Sequence, residues 1–198
     1  YCERYPVNFK SRAVVPVSVF DYDKRKNYRV FVACENRQVY AYNVEGNIIN
    51  GFGFSGAGHE IIAPVQFFRA NRKDYIVVTD KLRTYILNRR GEERVNLEMQ
   101  FEPSPNNEFV FQPASSGRPA RIIRTNVEGH IYFIYFSGKV DKKDMGKFSA
   151  SHYFDMYDIT GDRVADYIFV DKSEMQVFSL SGKKQFEHIF STPIVHKP

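Results

Sequence analysis

Apolar and polar positions alternate in short runs along this chain, and no window keeps the three-and-four spacing of an amphipathic helix. An all-β chain with little helix is expected. One feature recurs along it: an apolar residue four positions before a glycine, at Tyr42/Gly46, Leu87/Gly91, Ile134/Gly138 and Phe178/Gly182, with the glycines about 45 residues apart. The same order of segments surrounds each. Strand A runs Val17 to Asp21, Val65 to Arg69, Phe109 to Gln112 and Tyr153 to Asp158. Strand B, rich in β-branched and aromatic residues, runs Val30 to Ala33, Tyr75 to Thr79, Arg121 to Thr125 and Tyr167 to Val170. Strand C runs Val39 to Tyr42, Thr84 to Leu87, Ile131 to Ile134 and Met175 to Phe178. The glycine then sits in a polar hairpin turn, where a left-handed residue is cheapest without a Cβ. Strand D is expected to close with Phe54, Phe101, Phe148 and Phe190.

Four antiparallel strands at this period match a β-propeller blade, whereas a sandwich or closed barrel requires no four-strand period. The expectation is a single β-propeller domain or segment over 1–198, with blades at approximately 14–54, 62–101, 107–148 and 152–190. Arg4 to Phe9 has the pattern of a D strand with no A, B or C before it, and Thr192 to Val195 that of an opening A strand. A ring closed by strand sharing would leave its last blade without a D strand of its own. Lys184 to Phe190 supplies one, so the chain is expected to belong to a larger propeller whose remainder is a partner.

The composition narrows the classes. The chain has 198 residues, 43% hydrophobic and 16% aromatic, enough to build a core without staples. Its longest apolar runs, Tyr75 to Thr79 and Ile131 to Phe136, are too short for a membrane-spanning helix. Two cysteines, Cys2 and Cys34, make neither a disulfide framework nor a four-cysteine zinc site. The chain starts at Tyr1 with no signal peptide, which suggests processing or excision from a longer protein. The tyrosines of strands B and C, among them Tyr40, Tyr75, Tyr85 and Tyr132, are expected to fill gaps between blades.

The fourth A-to-B turn, Asp158-Ile-Thr-Gly-Asp162-Arg-Val-Ala-Asp166, places oxygen side chains at relative positions one, three, five and nine. That spacing suits a hard cation, and Asp158, Thr160, Asp162 and Asp166 are the candidate ligands for calcium. The same residues also suit a turn in which Asp and Thr accept backbone hydrogen bonds. The turn and the strand after it resemble the aspartate-rich hairpins of integrin-type FG-GAP and VCBS repeats. That resemblance implies propeller blades, which in such repeats often bind calcium, and an extracytoplasmic location (periplasmic, surface or secreted). Arg163 departs from it, standing where those loops have glycine. The equivalent turns are weaker: Asp21-Tyr-Asp23 continues into Lys24-Arg25-Lys26, and Arg69 to Asp74 and Gln112 to Pro119 lack the pattern.

Gly51-Phe-Gly53-Phe-Ser-Gly56 is a literal dinucleotide fingerprint, but Pro64 and a β-type run follow where the phosphate-facing helix would lie, so it is expected to be a link between blades. His59, His130, His152, His188 and His196 are dispersed without metal-ligand spacing, and neither cysteine nor any serine has the context of a nucleophile. The formal charge is +5. Most of that excess falls in the A-to-B and C-to-D turns, which share one end of an antiparallel sheet. Lys24, Arg25, Lys26, Lys183 and Lys184 are therefore the candidate contacts for an acidic partner, while Glu45 and the aspartates of the fourth turn interrupt any track for nucleic acid.

These features define three function classes. The first is a non-enzymatic binding or scaffolding module for a protein or glycan, met by connecting loops such as Gly53 to Glu60 and Phe101 to Asn107. The others are a propeller hydrolase or lyase with its site in the central channel, and an anionic-polymer binder that uses the basic turn face.

Overall fold

A computed structural model describes residues 5–197. Fifteen strands and no helix make up the described chain: β1 (Ser18–Phe20), β2 (Arg29–Ala33), β3 (Val39–Tyr42), β4 (Gln66–Ala70), β5 (Lys73–Thr79), β6 (Thr84–Leu87), β7 (Glu93–Val95), β8 (Val110–Gln112), β9 (Arg121–Thr125), β10 (Ile131–Tyr135), β11 (Val140–Lys143), β12 (Tyr153–Tyr157), β13 (Asp166–Asp171), β14 (Glu174–Phe178) and β15 (Lys184–Ile189). They form four sheets in sequential order, β1 to β3, β4 to β7, β8 to β11 and β12 to β15. Every pairing is antiparallel. Strands A, B and C thus occur in all four repeats close to where β-branched and aromatic runs place them.

Strand D differs. Its phenylalanines do not end the strands, which stop at Val95, Lys143 and Ile189; in the first sheet D shrinks to one bridge between Tyr42 and Ile48. Phe54 and Phe148 instead leave the sheet edge and enter the next sheet. Phe54 meets the Tyr85 ring edge-on at 5.4 Å, and Phe148 stacks on Phe169 at 4.2 Å. Burying such a ring contributes about 2 kcal/mol or more, which a short polar edge strand does not. Tyr5 to Phe9 and Thr192 to Val195 carry no strand; Arg4 lies outside the described residues.

The chain divides into two compact units. One comprises residues up to Phe101 together with Phe136–Lys139, and the other Glu102–Tyr135 and the residues from Val140 on. In the first, Phe31, Ala33 and Ala41 of one sheet pack with Ile76, Val78 and Leu87 of the next, and Ile61 and Val65 of the link fill the space beside them. The outer face of the β1 to β3 sheet, with Val32, Cys34 and Tyr42, is covered by Val7 and Ala13. In the second unit Ile123, Ile131 and Phe133 pack with Phe154, Met156, Tyr167 and Phe169.

Each link is also stitched to the residue that ends strand B. Isolated bridges join Ala13 to Cys34, Ile61 to Asp80 and Pro103 to Asn126. Side chains reinforce these joints. The fully buried Asp80 accepts hydrogen bonds from His59 N (2.9 Å), Leu82 N (2.9 Å), Arg83 N (2.6 Å) and the Tyr85 hydroxyl (3.1 Å). Asp171 takes the equivalent place in the last sheet, accepting Ser149 N at 2.7 Å. In the second unit Asn107 accepts Phe154 N at 2.7 Å and donates to Thr125 Oγ1 at 3.0 Å. His152, wholly buried, lies 2.9 Å from the same Thr125 oxygen and 2.7 Å from the Ser149 carbonyl. The carbonyl can only accept, so Nδ1 carries the proton and Nε2 accepts from threonine. Arg124 is buried beside them, donating Nη2 to Ser104 O at 2.9 Å, and burial pushes its pKa down to about 9 against the pull of Glu108.

The four repeat glycines, Gly46, Gly91, Gly138 and Gly182, have φ of 81°, 78°, 100° and 93°, the left-handed conformation that the turn needs. At Gly91 a second constraint applies, because a Cβ there would lie 2.6 Å from Phe54 N. Gly161, at φ 77°, has open space around it. Gly91→Ala is therefore expected to lower stability by about 2 kcal/mol or more, and Gly161→Ala by about 1 kcal/mol, as read from urea denaturation midpoints.

Burial lowers the His152 pKa below its ordinary 6.5, outweighing the Ser149 carbonyl and the Asp171 carboxylate, which act to raise it. The unfolded chain therefore binds the proton first. The stability this histidine contributes is intact above about pH 6.5 and is lost as pH falls below it, by at most about 1.4 kcal/mol per unit. Melting temperatures of wild type are expected to fall more steeply between about pH 7 and pH 5 than those of His152→Gln; equal slopes would contradict the neutral buried imidazole.

Candidate functional site

The A-to-B turns lie at the end of each sheet away from the stitched links. In the fourth repeat the turn closes through its own acids. Asp158 Oδ1 accepts Gly161 N (2.6 Å) and Asp162 N (3.1 Å), and its Oδ2 accepts Arg163 N (2.8 Å). The buried Asp166 accepts Ile159 N, Thr160 N and the Thr160 hydroxyl at 3.1 to 3.2 Å, and Asp162 accepts Val164 N at 2.8 Å. The four candidate calcium ligands therefore share one turn, with the three carboxylates accepting backbone N–H groups and the Thr160 hydroxyl donating to Asp166. Among the described residues no three His, Cys, Asp or Glu side chains gather as a metal site requires. Arg163 has φ 67°, a left-handed conformation that glycine adopts without strain. Asp21 repeats the arrangement in the first sheet, accepting Arg25 N and Lys26 N at 3.2 and 2.8 Å.

The tip of the fourth turn borders a cavity of about 450 Å³ in the second unit. Val110, Phe111, Met156 and Leu180 form its apolar wall, and Arg118 and Arg163 bring guanidinium groups to it. Arg118 is held at the end of the β8–β9 hairpin by a backbone bridge to Ser115, and its buried Nε has no hydrogen-bond partner among the described residues. By contrast Arg121 nearby is fully engaged: it donates to Gln112 Oε1 (2.7 Å) and the Tyr135 hydroxyl (2.9 Å) and lies 4.0 Å over the Phe133 ring. An apolar wall beside two uncommitted guanidinium groups matches a ligand that carries a carboxylate next to a hydrophobic group. No sequence motif marked this cavity, since its walls and its two arginines come from two repeats far apart in the chain.

The basic candidates are divided between the two units. Lys24, Arg25 and Lys26 belong to the first unit and Lys183 and Lys184 to the second, where Lys184 pairs with Glu187. The first unit has a denser basic region that the sequence reading left aside. Asp74 accepts Arg69 Nε at 2.6 Å and Arg89 Nε at 2.5 Å, and Arg89 extends to Asp23 at 2.9 Å while lying 4.6 Å over the Tyr22 ring. Burial alone would raise the Asp74 pKa, but the two arginine hydrogen bonds outweigh it and hold the carboxyl below its ordinary value. The glycine-rich link contains no helix: Gly53 N donates to Arg90 O and Ala57 N to Arg37 O, as expected of a connection threaded between sheets. Of the loops expected to meet a ligand, Phe101 to Asn107 is largely buried, with Glu102, Pro105 and Asn106 exposed. No helix among the described residues is long and apolar enough to cross a membrane.

No family model matches the chain, and no curated protein matches it. Among solved structures it is similar to BBS1N, in a crystal of BBS1N in complex with ARL6DN soaked with lead, with a TM-score of 0.54, 12% identity and 93% of this chain covered. A second crystal of the same complex, soaked with mercury, gives a TM-score of 0.50, 11% identity and the same coverage. The chain spans 59% of the BBS1N chain in the first and 71% in the second. These likenesses, with the four sequential antiparallel sheets, show the fold: a β-propeller.

Asp166→Ala removes the acceptor of three hydrogen bonds from a buried position. It is expected to cost about 2 kcal/mol in denaturant unfolding. Millimolar calcium is expected to leave the wild-type melting temperature at its EDTA value; a rise of several degrees would place an ion in the turn.

Proposed function

We propose that this chain is a non-enzymatic protein-interaction module that recognises a partner segment combining an acidic side chain with an apolar one. The observation that carries this reading is the cavity beside Arg118 and Arg163. Its apolar wall supplies area, and its guanidinium groups supply directional recognition of a carboxylate. Arginine with buried apolar surface is the composition in which interface energy concentrates. That BBS1N was solved in complex with ARL6DN supports a propeller of this kind acting through a protein partner. The difference in length between the two chains supports further blades completing the assembly.

The titratable groups favour binding over an enzyme. His152 is neutral and engaged on both nitrogens, and Asp80, Asp158 and Asp166 accept from the backbone. A general base needs a free lone pair facing a substrate, and these groups face their own fold.

Selection of displayed random peptides on the immobilised chain tests the proposal. The expected result is enrichment of sequences with Asp or Glu beside Leu, Phe or Met, and a loss of binding of about tenfold or more in the Arg118→Glu, Arg163→Glu double variant. Peptides without acidic residues, or binding indifferent to both substitutions, would overturn it.

A further inference from the structure

The first unit holds a second concavity, of about 420 Å³, whose chemistry is unlike the first. The β4–β5 turn, the β6–β7 turn and the edge strand β7 form it, and Arg72, Lys73, Arg89, Arg90 and Arg94 line it against the carboxylates of Asp74 and Glu92. Those two acids are already committed. Asp74 is held by Arg69 and Arg89, and Glu92 accepts from Asn88 Nδ2 at 2.8 Å. Arg89 is likewise consumed by Asp74 and Asp23. Four cations remain, Arg72, Lys73, Arg90 and Arg94, with no carboxylate partner among the described residues; Arg94 rests 5.7 Å over the Tyr75 ring. Tyr75 is in turn buried against Phe136 at 4.1 Å, so the platform under Arg94 is fixed.

The turn backbone gathers these charges. Asn71 and Arg72 have φ of 50° and 60°, the paired left-handed residues of a tight hairpin, which bring Arg72 and Lys73 together at its tip. Asn88 closes the other turn by accepting Arg90 N at 2.7 Å and Glu92 N at 3.2 Å. Like charges held this close repel one another, and a compact anion offsets that cost while guanidinium forks match phosphate oxygens in pairs.

The lining contains no apolar side chain. A nucleotide base would find no aromatic ring to stack on there, and the hydrophobic residues of an amphipathic peptide would find no wall. We infer that this concavity binds a compact, multiply phosphorylated polyol, the chemistry of an inositol polyphosphate or of the same group carried as a lipid head. The ligand spans the two turns, with Arg72 and Lys73 on one side and Arg90 and Arg94 on the other.

Titration calorimetry of the whole chain with inositol hexakisphosphate tests this directly, with vesicles of phosphatidylcholine containing or lacking phosphatidylinositol bisphosphate as a parallel arm. Saturable binding with Kd on the order of 10 μM at near-physiological salt is expected. The Arg72→Ala, Arg90→Ala variant is expected to weaken it about tenfold or more, while Lys183→Ala, Lys184→Ala, which removes equal charge from the other unit, changes it less than about twofold. The Arg72 and Arg90 side chains are exposed and bear no hydrogen bond among the described residues, so unchanged thermal melts will confirm that both variants fold. Binding to the soluble ligand alone assigns the free polyphosphate; variant-sensitive binding to the phosphoinositide vesicles assigns the lipid head. No binding in either arm, equal weakening by the two variant pairs, or tighter binding of an oligo-aspartate peptide or single-stranded DNA of matched charge would overturn the inference.

Discussion

The structure depends on how each connecting link is fastened to the end of strand B. A four-stranded sheet of this size buries too little on its own faces, so it persists only if its neighbour is held in register against it. Two devices do this. A ring leaves the sheet edge and enters the next sheet, as Phe54 does against Tyr85 and Phe148 against Phe169. A backbone bridge and a buried acceptor then lock the link at Ile61 and Asp80, and the Asp171 carboxylate alone does so at Ser149. The ring supplies the larger free energy and the acceptor the register, since a carboxylate bonded to several N–H groups tolerates no slip.

Much of this fold was legible in the sequence, and what escaped has a physical reason. Strands A, B and C carry β-branched and aromatic runs whose pattern survives without context, and the repeat glycines mark a turn that only a left-handed residue fits. The phenylalanine of each repeat is visible too, but its recurrence along the chain marks the end of strand D no better than it marks a plug for the next sheet. A ring that closes a strand and one that leaves it to plug the next sheet look the same along the chain. The stitches were less legible still, because a single backbone bridge has no side-chain signature and Asp80, Asn107 and His152 bond across long sequence separations.

The candidate sites show the same limit from the other side. The aspartate spacing of the fourth turn was found, and its backbone-directed geometry follows from the alternative reading made at that point. The cavity beside Arg118 and the concavity beside Arg90 were not found, because each joins residues from separate turns and neither matches a linear motif. Charge summed over the turns pointed to the end of the sheets where both cavities lie, but to lysines that belong to different units. A signal existed in the first unit: Arg89-Arg90 and Arg72-Lys73 fall on facing turns of one repeat, and registering the hairpins against each other brings the two pairs side by side.

The stitches also account for where these two cavities lie. At the end of the sheets that holds the links, charged side chains are committed: Arg12 pairs with Glu35, Lys81 with Glu60, and Arg37 donates to Gly58 O. A substitution there disturbs the joint between repeats. The A-to-B tips carry no such duty, and the C-to-D turn touches the link only through backbone, at Gly91 and the Gly53 N to Arg90 O hydrogen bond, so the side chains of both are free to differ between repeats without cost to the joints. They do differ, giving an aspartate-capped turn in one sheet, a lysine-rich turn in another and arginine pairs in a third. Both cavities lie at this end because the other end must hold the repeats together, and the separate roles of the two ends let one fold present an amphipathic cavity in one unit and a polar basic one in the other.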